Sequence, residues 1–169
     1  EPWRVTLIDT GATTLTGGRL LRIQKYLNNG EPFCFTYGDG VSDVNVDRLV
    51  EIHKSRGLLA TVTAVNPPGR YGALKVDSSG NVIEFAEKPI GGGGLINGGF
   101  FVLEPEVLKY IDGDNISFEN EPVSHLVIDK QLGIFPHHGF WHPMDTLRDK
   151  NHLNRLWENG AAPWKTWDM

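Results

Sequence analysis

A chain of 169 residues with 40% hydrophobic and 22% charged side chains fits a single domain, 1–169, with a real core, and excludes a fibre or a disordered tail. A formal charge of -5 and a sequence pI near 5.6 leave no basic run to neutralise a phosphate backbone, so no nucleic-acid partner is expected, while a small anionic ligand stays open. Cys34 is the only cysteine, which excludes an internal disulfide or thiolate metal site and fits a reducing, cytoplasmic compartment, and no run approaches the roughly 20 apolar residues of a membrane span, so no membrane partner is expected.

Val5 to Ile8 reads as a strand, closed by Asp9-Thr10-Gly11. With no Met and no signal peptide before it, this abrupt strand leads us to expect a chain that begins partway through a larger protein. Beyond a polar loop, Gly17-Gly18 opens a segment with Leu20, Leu21, Ile23 and Leu27 at helical spacing. Glycine-containing loops between a strand and a helix are where open α/β sheets bind ligands. No Gly-Lys-Ser/Thr follows, so this is neither a P-loop nor a dinucleotide fingerprint, and Gly17-Gly18 also reads as a plain helix start.

The apolar run Phe33 to Phe35, with Cys34 inside it as a small hydrophobe, leads into Gly38-Asp39-Gly40. That is the form of a buried strand delivering one carboxylate to a sheet edge. A carboxylate between two glycines has ligand access on both sides and suits a divalent cation carrying phosphates. A simple turn fits the same residues.

Asp43 to Arg56 reads as a helix, with Val46, Leu49, Val50 and Ile52 apolar and His53, Lys54 and Arg56 at its C-terminal end, where cations suit the dipole. Gly57 ends it, and Leu59 to Val65 is a strand. Two βα units with uniformly apolar strands predict an α/β fold, a mostly parallel, Rossmann-like sheet covered on both faces. At Arg70 the pattern changes to a small β-hairpin insertion, two short strands around Ser78-Ser79-Gly80-Asn81. Gly91 to Gly94 reads as a flexible loop, Leu95 to Leu103 as a strand, and Glu104-Pro105 as the start of a short helix through Ile111. Another helix runs from Glu121 to about Lys130, with Leu126 and Val127 as core positions. Leu132 to Trp141 is extended. A final helix follows Asp145-Thr146, either of which could cap it, and carries Leu147, Leu153, Leu156 and Trp157. Pro163, Trp164 and Trp167 give the tail more aromatic surface than water favours.

Four features then stand in order: Asp39 after one strand, Glu87-Lys88 after another, Asn97-Gly98-Gly99 leading into a third, and Asp145 before the last helix. Each has a plainer reading, as a turn, a solvated pair before Pro89, a bulge and a helix cap. No histidine pair lies at i, i+4 on a predicted helix, so the six histidines do not suggest zinc. The set, together with the runs FTYGDGV (35–41), PPGRYGAL (67–74), EKP (87–89), INGGFFVL (96–103), GFWHPMDTLRDK (139–150) and APWKTW (162–167), resembles the sugar-1-phosphate nucleotidyltransferases along the whole chain. The likeness is to their CTP-using branch rather than to the thymidylyl or uridylyl relatives.

The resemblance implies an enzyme taking CTP and glucose 1-phosphate and feeding deoxysugar and O-antigen synthesis, with Mg²⁺ as cofactor. It implies Asp39 and Asp145 as metal ligands, Lys88 as the residue meeting the sugar phosphate, and Glu87, Gly72 and Asn97 as sugar contacts. The loop around Gly11 and Gly17 corresponds to the base-recognition region. Asp39, Lys88 and Asp145 would carry the catalysis. Enzymes of this family open with a Gly-rich loop holding an Arg and a Lys that clamp the triphosphate; this sequence has no such segment, so it reads as roughly the carboxyl-terminal two thirds. An apolar face left without that segment favours association into a homo-oligomer. A non-catalytic sugar-phosphate-binding or assembly module, or an enzyme using UTP or dTTP, are the competing readings.

Overall fold

The computed structural model describes residues 3–27, 30–67, 73–76, 78, 82–86 and 94–167, with 73–76 and 83–86 described as backbone. In chain order they form α1 (Thr16–Arg22), α2 (Gln24–Leu27), β1 (Phe33–Thr36), β2 (Gly40–Ser42), α3 (Val46–Arg56), β3 (Ala60–Val65), β4 (Ala73–Val76) and β5 (Val82–Ala86). They continue with β6 (Ile96–Leu103), a 3-10 turn (Pro105–Tyr110), α4 (Glu121–Ile128), β7 (Leu132–His137), β8 (Trp141–Pro143) and α5 (Leu147–Glu158). No helix among the described residues is long and apolar enough to cross a membrane.

The main sheet has the order β1-β6-β3-β7, beside two-stranded sheets β2-β8 and β4-β5. The α/β class expected from the sequence is present, but the parallel share is smaller than expected. Glu104 N–H bonds Leu59 O at one end of the β3–β6 pair, and Gly98 faces Thr63 and Val65 at the other, so these strands are antiparallel. Tyr37 N–H bonds Gly99 O while Phe35 packs on Phe101, so β1 is antiparallel to β6 as well. Ala60 N–H bonds Gln131 O, start to start, which makes β3–β7 parallel. The cause is the connection: α3 supplies the crossover that parallel strands need between β1 and β3, whereas β6 follows a hairpin. That hairpin, β4–β5, is antiparallel with an irregularity at Lys75/Val76.

The chain forms two compact units, one of Glu1–Phe35, Val50–Thr61 and Phe101–Gly133, the other of Thr36–Leu49, Val62–Phe100 and Ile134–Met169. In the first, Phe118 is fully buried and meets Phe35 and Phe101 edge-on at 5.7 and 5.8 Å, with Leu20, Leu103, Val107, Leu108, Ile111 and Leu126 also buried. In the second, Leu49, Val62, Ala64, Val65, Phe135 and Leu153 are buried.

Several expectations are corrected. Val5 to Ile8 forms no strand: no described residue pairs with it, and Leu7 is 92% exposed, because an extended segment becomes a strand only when its backbone groups find a ladder. Cys34 is exposed rather than buried; β1 alternates, and Phe35 takes the inward position that a one-residue phase shift would have given Cys34. His53 is 1% exposed, not a solvated cation at a helix end, because it falls four residues after Leu49 on the buried face of α3. Its Nδ1 lies 2.9 Å from Thr61 Oγ1 and its Nε2 3.2 Å from Glu104 Oε1. Val127 is exposed while Leu126 is buried, since one short helix offers a single face to the core.

Candidate functional site

Within the second unit, β2 and β8 pair antiparallel with Gly40 opposite Pro143, Val41 opposite His142 and Ser42 opposite Trp141. One residue beyond the ladder, Met144 N–H donates to Asp39 O at 2.6 Å. Asp39 and Asp145, 106 positions apart in sequence, therefore leave the same end of one ladder, and both side chains are exposed. The glycines flanking Asp39 carry this geometry: an added Cβ at Gly38 would meet nothing within 4 Å, and one at Gly40 would reach only Trp141 Nε1 at 3.9 Å. The carboxylate is thus open on both sides.

The cap reading of Asp145 is answered locally. Thr146 caps α5 in a capping box: its side chain accepts from Asp149 N–H, and Asp149 accepts in return from Thr146 N–H. A donor set of two exposed carboxylates fits Mg²⁺, which keeps several waters and takes one or two carboxylates together with substrate phosphates. Among the described residues no three His, Cys, Asp or Glu gather into a closed cage.

Asn97 reaches the same neighbourhood through Trp141. The Trp141 indole N–H donates to Gly98 O at 2.7 Å, tying β8 to the start of β6. Gly98 has no space for a side chain, since a Cβ would lie 2.9 Å from Val65 and 3.0 Å from Thr63 O. Gly99 adopts φ +80°, and a Cβ there would come within 2.8 Å of the Tyr37 ring. Asn97 Oδ1 accepts from Gly99 N–H at 2.8 Å, and its Nδ2 donates to Tyr37 Oη at 3.4 Å. The amide is oriented from both ends while remaining exposed. Tyr37 and Trp141 are the site-shaping residues that motif reasoning passed over; both lie inside the quoted runs, and their hydrogen-bonding tips on large rings were the available signal.

Gly11 and Gly17 lie in the first unit. Gly11, at φ +83°, closes a turn in which its N–H bonds Asp9 Oδ1 at 2.8 Å. Gly17 is buried, its N–H on Ile116 O at 3.0 Å, and a Cβ there would come 2.7 Å from that oxygen. Close packing is thus a sufficient reason for glycine at 17. Thr16 bonds both Phe118 N–H and Glu119 from the same helix start. Gly72, Glu87 and Lys88 lie outside the described residues.

The nucleotidyl transferase family model matches residues 16–131. The chain is 54% identical over 168 residues to the glucose-1-phosphate cytidylyltransferases of Salmonella typhi and Salmonella typhimurium, covering 99% of this chain and 65% of each relative. It thus spans about two thirds of the length of these curated relatives. Among solved structures, HddC from Yersinia pseudotuberculosis superposes with a TM-score of 0.60 at 21% identity, over 86% of this chain and 64% of that one, a likeness of fold.

Proposed function

Because this chain belongs to the nucleotidyl transferase family, we propose that the protein carrying it transfers CMP from CTP to α-D-glucose 1-phosphate, giving CDP-glucose and pyrophosphate. The choice of CTP and glucose 1-phosphate is supported by the identity to the Salmonella enzymes. The observation that carries the catalytic reading is the Met144–Asp39 backbone bond, which brings two distant carboxylates to one ladder end.

In this reaction a phosphate oxygen of glucose 1-phosphate attacks the α-phosphorus of CTP. A new P–O bond forms, the α–β bridging bond breaks, and pyrophosphate leaves with the electron pair. Both reactants are anions, so the protein's task is to bring like charges together and hold them in line. Asp39 and Asp145 would hold Mg²⁺. Bound there, the ion supplies positive charge to offset the crowded phosphates. Asn97, pre-oriented by Gly99 and Tyr37, donates to and accepts from sugar hydroxyls. Glu87 and Gly72 share that role, and Lys88 places a point charge on the attacking phosphate.

Pyrophosphate release from CTP and glucose 1-phosphate with Mg²⁺, compared with UTP and dTTP, tests the proposal. Asp39→Asn and Asp145→Asn are each expected to lower turnover at least about a hundredfold, the scale of losing a preorganised electrostatic partner, with CTP preferred in the unaltered protein. Turnover within twofold of normal in either variant would sink the ligand assignment. A chain that binds sugar phosphate but releases no pyrophosphate in the complete protein would instead be a binding module.

A further inference from the structure

His137 ends β7 with three oxygens gathered on one ring nitrogen. Asp43 Oδ1 lies 2.9 Å from His137 Nε2, Ser42 Oγ 3.2 Å and Phe140 O 3.3 Å. A carbonyl and a carboxylate only accept, so we assign the hydrogen to Nε2. Asp43 Oδ1 is buried, and its contact with the ring is close but not aligned as a directed hydrogen bond. The ring is therefore the polar neighbour of an oxygen that water does not reach. The space is built for this contact: a Cβ on Gly139 would overlap Asp43 Oδ1 and come 2.8 Å from His137 Cε1. Ser42 Oγ also donates to Phe140 O at 2.8 Å and accepts Val44 N–H at 3.2 Å, and Asp43 N–H donates to Phe140 O at 3.1 Å.

This cluster lies at the Ser42–Trp141 end of the β2–β8 ladder. The opposite end is where Met144 N–H meets Asp39 O. A two-stranded ladder of three residues has little stability of its own, so its register depends on what grips its ends. We propose that His137 is a positioning residue: by gripping Asp43, Ser42 and the Phe140 carbonyl, it fixes the ladder and thereby the spacing of Asp39 and Asp145. The role rests on reading those two carboxylates as cation ligands.

Amide hydrogen exchange at Met144, with Thr63 in β3 as the internal reference, reads the grip without any cation present. In His137→Ala the Met144 amide is expected to exchange at least tenfold faster with Thr63 unchanged. In His137→Gln, which keeps an N–H donor, it is expected to stay within twofold of the unaltered protein. An unchanged Met144 rate in His137→Ala, or an equal acceleration at Thr63, would overturn the proposal, the latter by making His137 a support of the whole fold. Mn²⁺ binding followed by paramagnetic resonance then separates this role from the ligand reading. Affinity is expected to fall at least tenfold in His137→Ala and to recover in His137→Gln. Equal Mn²⁺ affinity in His137→Ala and the unaltered protein would overturn the His137 proposal alone. Absence of Mn²⁺ binding in the unaltered protein would overturn the ligand reading, and with it the role of His137, even if the Met144 amide behaved as expected.

Discussion

At the scale of single residues, charge placement gives the first unit a pH dependence. Arg22 and Asp114 meet at 2.5 Å across 92 positions of sequence, and both are partly exposed. The hydrogen bond from Arg22, aided by its charge, holds the Asp114 carboxyl below its ordinary value of 3.8. A carboxyl whose folded value is depressed contributes stability that is fully present above its unfolded value and lost as pH falls through the folded one. Thermal denaturation of the unaltered protein below pH 3.8 is therefore expected to show a loss that Asp114→Asn lacks, with the two converging in strong acid. Parallel curves across that range would remove the linkage. Cys34, though exposed, has its thiol raised by partial burial, which lowers the thiolate fraction, so slow alkylation by a thiol reagent is expected.

At the scale of elements, α5 was legible in the sequence, with its cap left open between Asp145 and Thr146. Thr146 with Asp149 three residues on is a capping signature, and the structure closes both bonds of the box. Thr146→Ala is expected to cost about 1 kcal/mol, measured by urea denaturation; a loss within about 0.2 kcal/mol would mean the box contributes nothing to the fold. β3 was equally legible because its Val/Thr run is buried at every position. β2 and β8 were not. Three residues are too few for a periodicity signal, and their pairing joins segments a hundred positions apart, a contact that no local propensity encodes. His53 was misread because its neighbours Lys54 and Arg56 are charged, whereas helical phase alone places it inward. For Val5 to Ile8 the β propensity is real and what is missing is a described partner strand.

At the scale of the whole molecule, the fold class and the order of the longer helices and strands after Thr16 followed from sequence pattern, and the sheet's mixed direction did not, because strand direction is decided by connections rather than by strands. The proximity of Asp39 and Asp145 is a similar case. Their spacing says nothing; the resemblance paired them, and the Met144–Asp39 bond supplies a physical reason for pairing them. Asn97 is connected to the same ladder through Gly98 and the Trp141 indole, so the proposed cation and sugar contacts share one hydrogen-bonded scaffold in the second unit. Asp39 and Asp145 are proposed to couple a divalent cation to a sugar nucleotide. Calorimetric titration with CDP-glucose tests this coupling most directly. Affinity measured with Mg²⁺ is expected to fall at least about tenfold when the ion is chelated, and as far in Asp39→Asn or Asp145→Asn with Mg²⁺ present, with UDP-glucose binding more weakly throughout. Binding of CDP-glucose that is indifferent to Mg²⁺ and to both substitutions would contradict it.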